Sequence, residues 1–170
     1  MFPALTLILG GARSGKSRQA EALVTTLPPP WHYVATAEAY DDEMRERIAL
    51  HRARRDEGWQ THEAPIELPE CLAQLGVAAA PILVDCLTLW LTNVMLAERD
   101  VNAAALALEA ALAAARAPVV LVSNEVGLGI VPENALARRF RDEAGRLHQR
   151  LAARADRVLF MVAGLPMVVK

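Results

Sequence analysis

The sequence predicts an α/β fold, a mostly parallel sheet flanked by helices, and three observations carry that reading. Apolar runs of strand length alternate with helix-length stretches along the whole chain. The runs are continuous rather than alternating, as strands covered on both faces require. The first run leads directly into a glycine-rich turn and then a helix. At 170 residues the chain fits one domain, residues 1–170, and its 54% apolar content excludes a charge-rich disordered polymer.

Taken in order, Leu5–Leu9 (LTLIL) is a strand and Lys16–Leu27 a helix, closed by a turn at Pro28–Pro30. His32–Thr36 (HYVAT) is the next strand. A charged helix follows over Asp41–Arg55, with Asp41 and Asp42 at its start and arginines crowding its second half, as the helix dipole favours. Pro81–Asp85 (PILVD) is a strand before a helix at Leu87–Leu96, and an Ala-rich helix covers Ala103–Ala115. Val119–Ser123 (VVLVS) precedes a Gly/Pro loop and a helix over Glu133–Ala153. Val158–Ala163 (VLFMVA) and Met167–Lys170 close the chain as strands, and no internal repeat interrupts the order.

A net charge of −2 gives no general attraction for nucleic acid or an anionic membrane, so anion recognition has to be local. Cys71 and Cys86 are too few for a disulfide scaffold and are not spaced as a zinc pair; buried free thiols are expected. Glu109, Arg116 and Pro166 interrupt the longer apolar stretches, so none reaches the roughly 18 residues of a membrane span. Met1–Gly11 lacks a basic leader and reads as a first strand, which predicts a cytoplasmic protein.

Gly10, Gly11, Ala12, Arg13, Ser14, Gly15, Lys16 and Ser17 match G-x-x-x-x-G-K-[ST] without a mismatch, between an apolar strand and a helix. The glycines let the backbone curl so that successive N–H groups face phosphate oxygens, and the helix dipole adds to that field. Lys16 supplies a point charge for the outer phosphates, and Ser17 offers a hydroxyl to Mg²⁺. Asp85 ends a strand where such sheets bind ligands, and is read as a second magnesium-orienting group; capping of the next helix is the alternative.

Glu43, Arg47, His51 and Arg55 recur at four-residue spacing, with Arg54 alongside. A solvated, salt-bridged face explains that pattern. A second reading also fits: guanidinium groups bind polyphosphate while a neutral His51 attacks phosphorus. The loop Val122–Asn134 lies where ligands meet parallel sheets, whereas Arg138, Arg139, Arg141 and Asp142 read as surface charge. His32, His62 and His148 show no metal-ligand spacing and are expected in core or surface roles.

The ordered combination of motifs resembles the bifunctional cobinamide kinase / cobinamide-phosphate guanylyltransferase family of adenosylcobalamin biosynthesis. The resemblance rests on LGGARSGKS at Leu9–Ser17, YVATAEAYDDEMRERI at Tyr33–Ile48, HRARR at His51–Arg55 and W-x-T-x-E-x-P at Trp59–Pro65. It continues through VDCLTLWLTN at Val84–Asn93, SNEVGLGIVPEN at Ser123–Asn134 and RFRDEAGRLHQRLA at Arg139–Ala152.

That resemblance implies a RecA-like P-loop architecture, a homotrimer, and two reactions. Adenosylcobinamide is phosphorylated with ATP or GTP, and GMP from GTP is then transferred to the phosphate through a GMP–histidine intermediate, giving adenosylcobinamide-GDP. It implies that Gly10–Ser17 hold the triphosphate, that Ala35, Thr36 and Ala37 line the nucleotide site, and that His51 is the guanylylated nucleophile. Arg52, Ala53, Arg54 and Arg55 would surround the charge, and Glu63 and Asp85 would complete the GTP contacts. Some relatives carry two adjacent histidines where this chain has Leu50 and His51; the arginine after His51 fits the second as the reactive one.

Two other functions fit parts of the pattern. A small-metabolite kinase would use the phosphate loop and Asp85 and leave His51 as surface charge. A GTP-dependent switch would bind partners, but the chain has no Asn-Lys-x-Asp guanine-reading motif.

Overall fold

The computed structural model describes residues 2–38 and 57–170. The helix expected over Asp41–Arg55, and with it His51, Arg52, Ala53, Arg54 and Arg55, lies outside the described residues.

Seven strands form one sheet: β1 (Leu5–Gly10), β2 (Trp31–Ala35), β3 (Trp59–Glu63), β4 (Ile82–Asp85), β5 (Val119–Asn124), β6 (Arg157–Val162) and β7 (Leu165–Val168). Their order across the sheet is β3-β2-β4-β5-β1-β6-β7. All pairings are parallel except β6 with β7, an antiparallel hairpin turned through Ala163 and Gly164, both at positive φ. β5 therefore separates the strand that feeds the phosphate loop from the strand that ends in Asp85.

The helices are α1 (Lys16–Val24), α2 (Leu68–Leu75), α3 (Leu87–Leu96), α4 (Val101–Ala114) and α5 (Ala135–Arg154). Period-2 alternation sorts the strand residues between two cores. Leu5, Leu7, Val84, Val119 and Leu121 pack with α2 to α5, whereas Ile8, Leu83, Val120 and Val122 pack with Ala20 and Val24 of α1. Both faces of the central strands are thus dry, which is why their apolar runs are unbroken.

Several polar groups inside these layers are paired. Glu109, which interrupts the Ala-rich helix in the sequence, is buried against Arg150 and Arg154 and ties α4 to α5. The Trp90 indole N–H donates to the Ile66 carbonyl at 2.8 Å, fixing α3 against the chain before α2. Cys86 is buried and Cys71 half-buried, both as free thiols.

Several boundaries differ from expectation. α1 ends at Val24, three residues before Leu27, and the last strand is Leu165–Val168 rather than Met167–Lys170. β3 and α2 have no counterpart in the sequence reading. WQTHE is a polar edge strand with no apolar run, and its exposed alternation carries little signal without its neighbour β2.

Candidate active site

Five strand ends line the carboxyl edge of the sheet. The pairings place Gly10 beside Asn124, and Ala35 beside both Asp85 and Glu63. Gly10 has φ +155°, and a Cβ there would stand 2.7 Å from Ser14 Oγ and 2.9 Å from the Met161 carbonyl oxygen. Only glycine lets the loop leave β1 this close to β6. Arg13 and Gly15 also take positive φ, which curls the backbone before α1 begins.

α1 follows Gly15 as its N-cap, with no side-chain cap and no acidic residue in its first turn. Its first N–H groups and the positive end of its dipole remain directed into the loop, the arrangement that receives an anion. α4 and α5 are different: Asp100 accepts from the Ala103 N–H, and Asn134 from the Ala137 N–H.

Lys16 is buried, and its ammonium donates to the Gly11 carbonyl at 2.5 Å. Burial lowers its pKa, while the neighbouring Cys86 and Asp85 pull it back up. An ammonium held at a desolvated loop is a strong partner for phosphate. The Asp85 Oδ2 accepts from the Tyr33 hydroxyl at 3.2 Å. Burial, with help from Asp85, pushes the Cys86 thiol up to about 11, so it stays neutral beside the site.

Thr36 is fully buried, and its hydroxyl accepts the Cys86 N–H at 2.8 Å and donates to the Cys86 carbonyl at 2.6 Å. Asn93 donates to the Thr36 carbonyl at 2.9 Å and to that of Pro65 at 3.0 Å. Thr36 therefore sets where β2 and β4 end, and its hydroxyl is committed to that task. Glu63 stands four strands from β1, about 19 Å at ordinary strand spacing. The phosphate loop and Asp85 are brought together; Glu63 is kept at the far end of the edge.

The described residues also contain a partly buried polar row that the sequence alone did not bring together. Thr88, Ser123 and His148 of α3, β5 and α5 join by hydrogen bonds, and Glu125 of the loop after β5 lies 3.8 Å from the His148 ring. The only hint in the sequence is the polar Ser-Asn-Glu that ends an otherwise apolar strand. His32 and His62 face one another at 3.0 Å between β2 and β3, an imidazole pair with no third ligand among the described residues.

The glycine curl, the uncapped helix, the buried lysine and the strand-end aspartate define a phosphate-loop nucleotide-binding domain. Solved structures agree at the level of fold. The flagellar accessory protein FlaH of Methanocaldococcus jannaschii aligns over 98% of this chain and 78% of its own, with TM-score 0.52 at 13% identity. A type III secretion ATPase of pathogenic bacteria aligns over 97% of this chain and 56% of its own, with TM-score 0.51 at 10% identity.

Sequence comparison resolves the family. The profile described as "Cobinamide kinase / cobinamide phosphate guanyltransferase" matches residues 6–169, and the chain belongs to that family. It is 51% identical to the bifunctional adenosylcobalamin biosynthesis protein CobP of Pseudomonas aeruginosa, over 96% of each chain. It is 42% identical to the bifunctional protein CobU of Salmonella typhimurium and 41% to that of Escherichia coli, over 98% of this chain and 99% of each relative.

Proposed function

We propose that this chain phosphorylates adenosylcobinamide with ATP or GTP and then transfers GMP from GTP onto the product, through a covalent histidine intermediate at His51. The observation that carries the reading is the buried Lys16 at an uncapped α1, facing the Asp85 strand end, in a chain matched to its family over residues 6–169.

In the first reaction the acceptor hydroxyl forms a bond to the γ-phosphorus as the bond to the β-phosphate oxygen breaks. Lys16 and the loop N–H groups of Gly11–Ser17 stabilise the charge that moves onto the departing diphosphate. Ser17 and Asp85 suit a hard cation, because both offer oxygen and the second Asp85 oxygen has no hydrogen bond among the described residues. Mg²⁺ held by these residues would supply charge neutralisation for the outer phosphates.

In the second reaction His51 attacks the α-phosphorus and pyrophosphate leaves; an oxygen of the corrinoid phosphate then displaces the imidazole. The split replaces one difficult transfer with two displacements. Arg52, Arg54 and Arg55, next to His51 in sequence, supply guanidinium groups suited to the triphosphate charge. Ala35 and Ala37, small side chains at and after the end of β2, suit a position against the nucleotide. Glu63, far along the edge, suits the nucleoside end rather than the phosphates.

A cytoplasmic homotrimer fits the same reading. No helix among the described residues is long and apolar enough to cross a membrane, and Leu165, Met167 and Val168 of β7 are exposed, as a subunit contact would use.

Mass spectrometry of the protein after GTP and Mg²⁺ tests the assignment. A GMP adduct is expected that disappears in His51→Ala and is discharged by adenosylcobinamide phosphate. An undiminished adduct in His51→Ala removes His51 from the mechanism, and a wild type with no adduct leaves the simple kinase.

A further inference from the structure

Phosphoryl transfer to an alcohol needs a group to take the hydroxyl proton, and the roles above leave that group unnamed. Lys16 is a cationic donor, Asp85 lies beside it on the metal side, and Glu63 is four strands away. We propose that the Glu125 carboxylate accepts the proton of the attacking hydroxyl in the kinase reaction, with His148 as a positioning residue that holds it. The proposal rests on the kinase reading above.

Glu125 is fastened to the phosphate loop by its own backbone: its N–H donates to the Gly10 carbonyl at 2.9 Å. One carboxylate oxygen accepts the Gly127 N–H at 2.5 Å, so the side chain is fixed over its own turn. The other lies 3.8 Å from His148 Nδ1. Beyond the turn, Leu128, Ile130 and Val131 are exposed. The carboxylate thus stands between the triphosphate loop and an apolar rim able to meet a large acceptor.

The row behind it runs in one direction. The Asn124 N–H donates to Thr88 Oγ1 at 2.7 Å, and Thr88 and Ser123 share a hydrogen bond at 3.2 Å. Ser123 and His148 Nε2 are 2.8 Å apart. With Thr88 donating to Ser123, the Ser123 hydroxyl donates to Nε2, and the ring proton falls on Nδ1, facing Glu125. The opposite tautomer would aim a lone pair at a carboxylate. The charged group facing His148 is Glu125, and Ser123 is the neutral one. Burial keeps the imidazole neutral, below its usual titration range, against the opposing pull of Glu125. The Nδ1–H turns its positive edge toward the carboxylate at 3.8 Å, short enough to bias which way the side chain faces.

In the step itself the acceptor O–H bond breaks and its proton passes to Glu125. The oxygen bonds to the γ-phosphorus, the phosphorus–oxygen bond to the β-phosphate breaks, and the nucleoside diphosphate leaves. Glu125 then releases the proton to water.

The test measures both half-reactions separately on the full chain, using adenosylcobinamide with ATP, and adenosylcobinamide phosphate with GTP. Glu125→Gln keeps an acceptor for the Gly127 N–H and loses the base. We expect its kinase kcat to fall about 100-fold or more, with KM for ATP within about threefold and GMP-adduct formation retained. Glu125→Asp, which keeps a shortened carboxylate, should fall between. His148→Leu should lower kinase kcat about tenfold and His148→Asn, which also presents one donor and one acceptor, should recover most of it. A Glu125→Gln kcat within threefold of wild type, or equal loss in both half-reactions, overturns the proposal; so does His148→Asn behaving as His148→Leu. A wild type that does not phosphorylate adenosylcobinamide removes the reaction itself, a different failure from an active wild type with an unaffected Gln variant.

Discussion

The backbone turns away from the carboxyl edge of the sheet after β1 and again after β5, and the two turns are opposites. After β1 the chain curls through glycine, enters α1 without a cap and leaves its N–H groups pointing into the turn. After β5 it satisfies itself: Glu125 accepts from Gly127, Asn134 caps α5, and Arg138 donates to the carbonyls of Pro132 and Glu133. It exposes the apolar side chains Leu128, Ile130 and Val131, with Ile130 97% accessible. A turn with unspent donors receives an anion, and a turn with spent donors presents side chains. The pair explains how neighbouring strands can serve donor and acceptor of one transfer.

The contrast breaks most visibly at Lys16. Lys16→Ala should lower turnover in both half-reactions about 100-fold or more, measured by steady-state kinetics; an unaffected kinase would deny the first turn its role. Gly10→Ala places a Cβ 2.9 Å from the Met161 carbonyl oxygen and should cost about 1–3 kcal/mol, with weakened nucleotide binding. Denaturant unfolding and nucleotide titration read the two effects. Asn134→Ala should cost about 1 kcal/mol by loss of the α5 cap, while nucleotide affinity stays put. Equal damage to affinity would mean that the two turns are not separable.

The smallest effect is one of pH. His148 has a folded pKa below its unfolded value, so the unfolded chain binds the extra proton first. Its contribution to stability is therefore complete above the ordinary histidine range and declines as pH falls toward the depressed folded value. Unfolding curves for wild type and His148→Asn between pH 7.5 and 5 should converge as the pH drops; a constant gap would show that His148 titrates normally.

The first turn was legible because its chemistry is local. Eight consecutive residues from Gly10 to Ser17 contain the curl, the lysine and the helix start, and continuous apolar runs announce the strands on either side. Asp85 was legible for a similar reason, since a carboxylate at the end of an apolar run has few other places to lie. The row of Thr88, Ser123, Glu125 and His148 was not, because its members span 60 positions and come from four segments. β3 and α2 escaped as well, one polar and marginal, the other only eight residues long.

Sequence alone determined the parallel α/β class, the phosphate loop and the motifs of the family, because periodicity and short-range spacing dictate backbone conformation before any packing occurs. Tertiary structure decided that β5 inserts between β1 and β4, that the Thr36 hydroxyl is consumed by Cys86, and that a buried imidazole backs the Glu125 carboxylate. Those outcomes depend on which strands pair and which faces dry together, and distant residues acquire a common environment only when the sheet has closed.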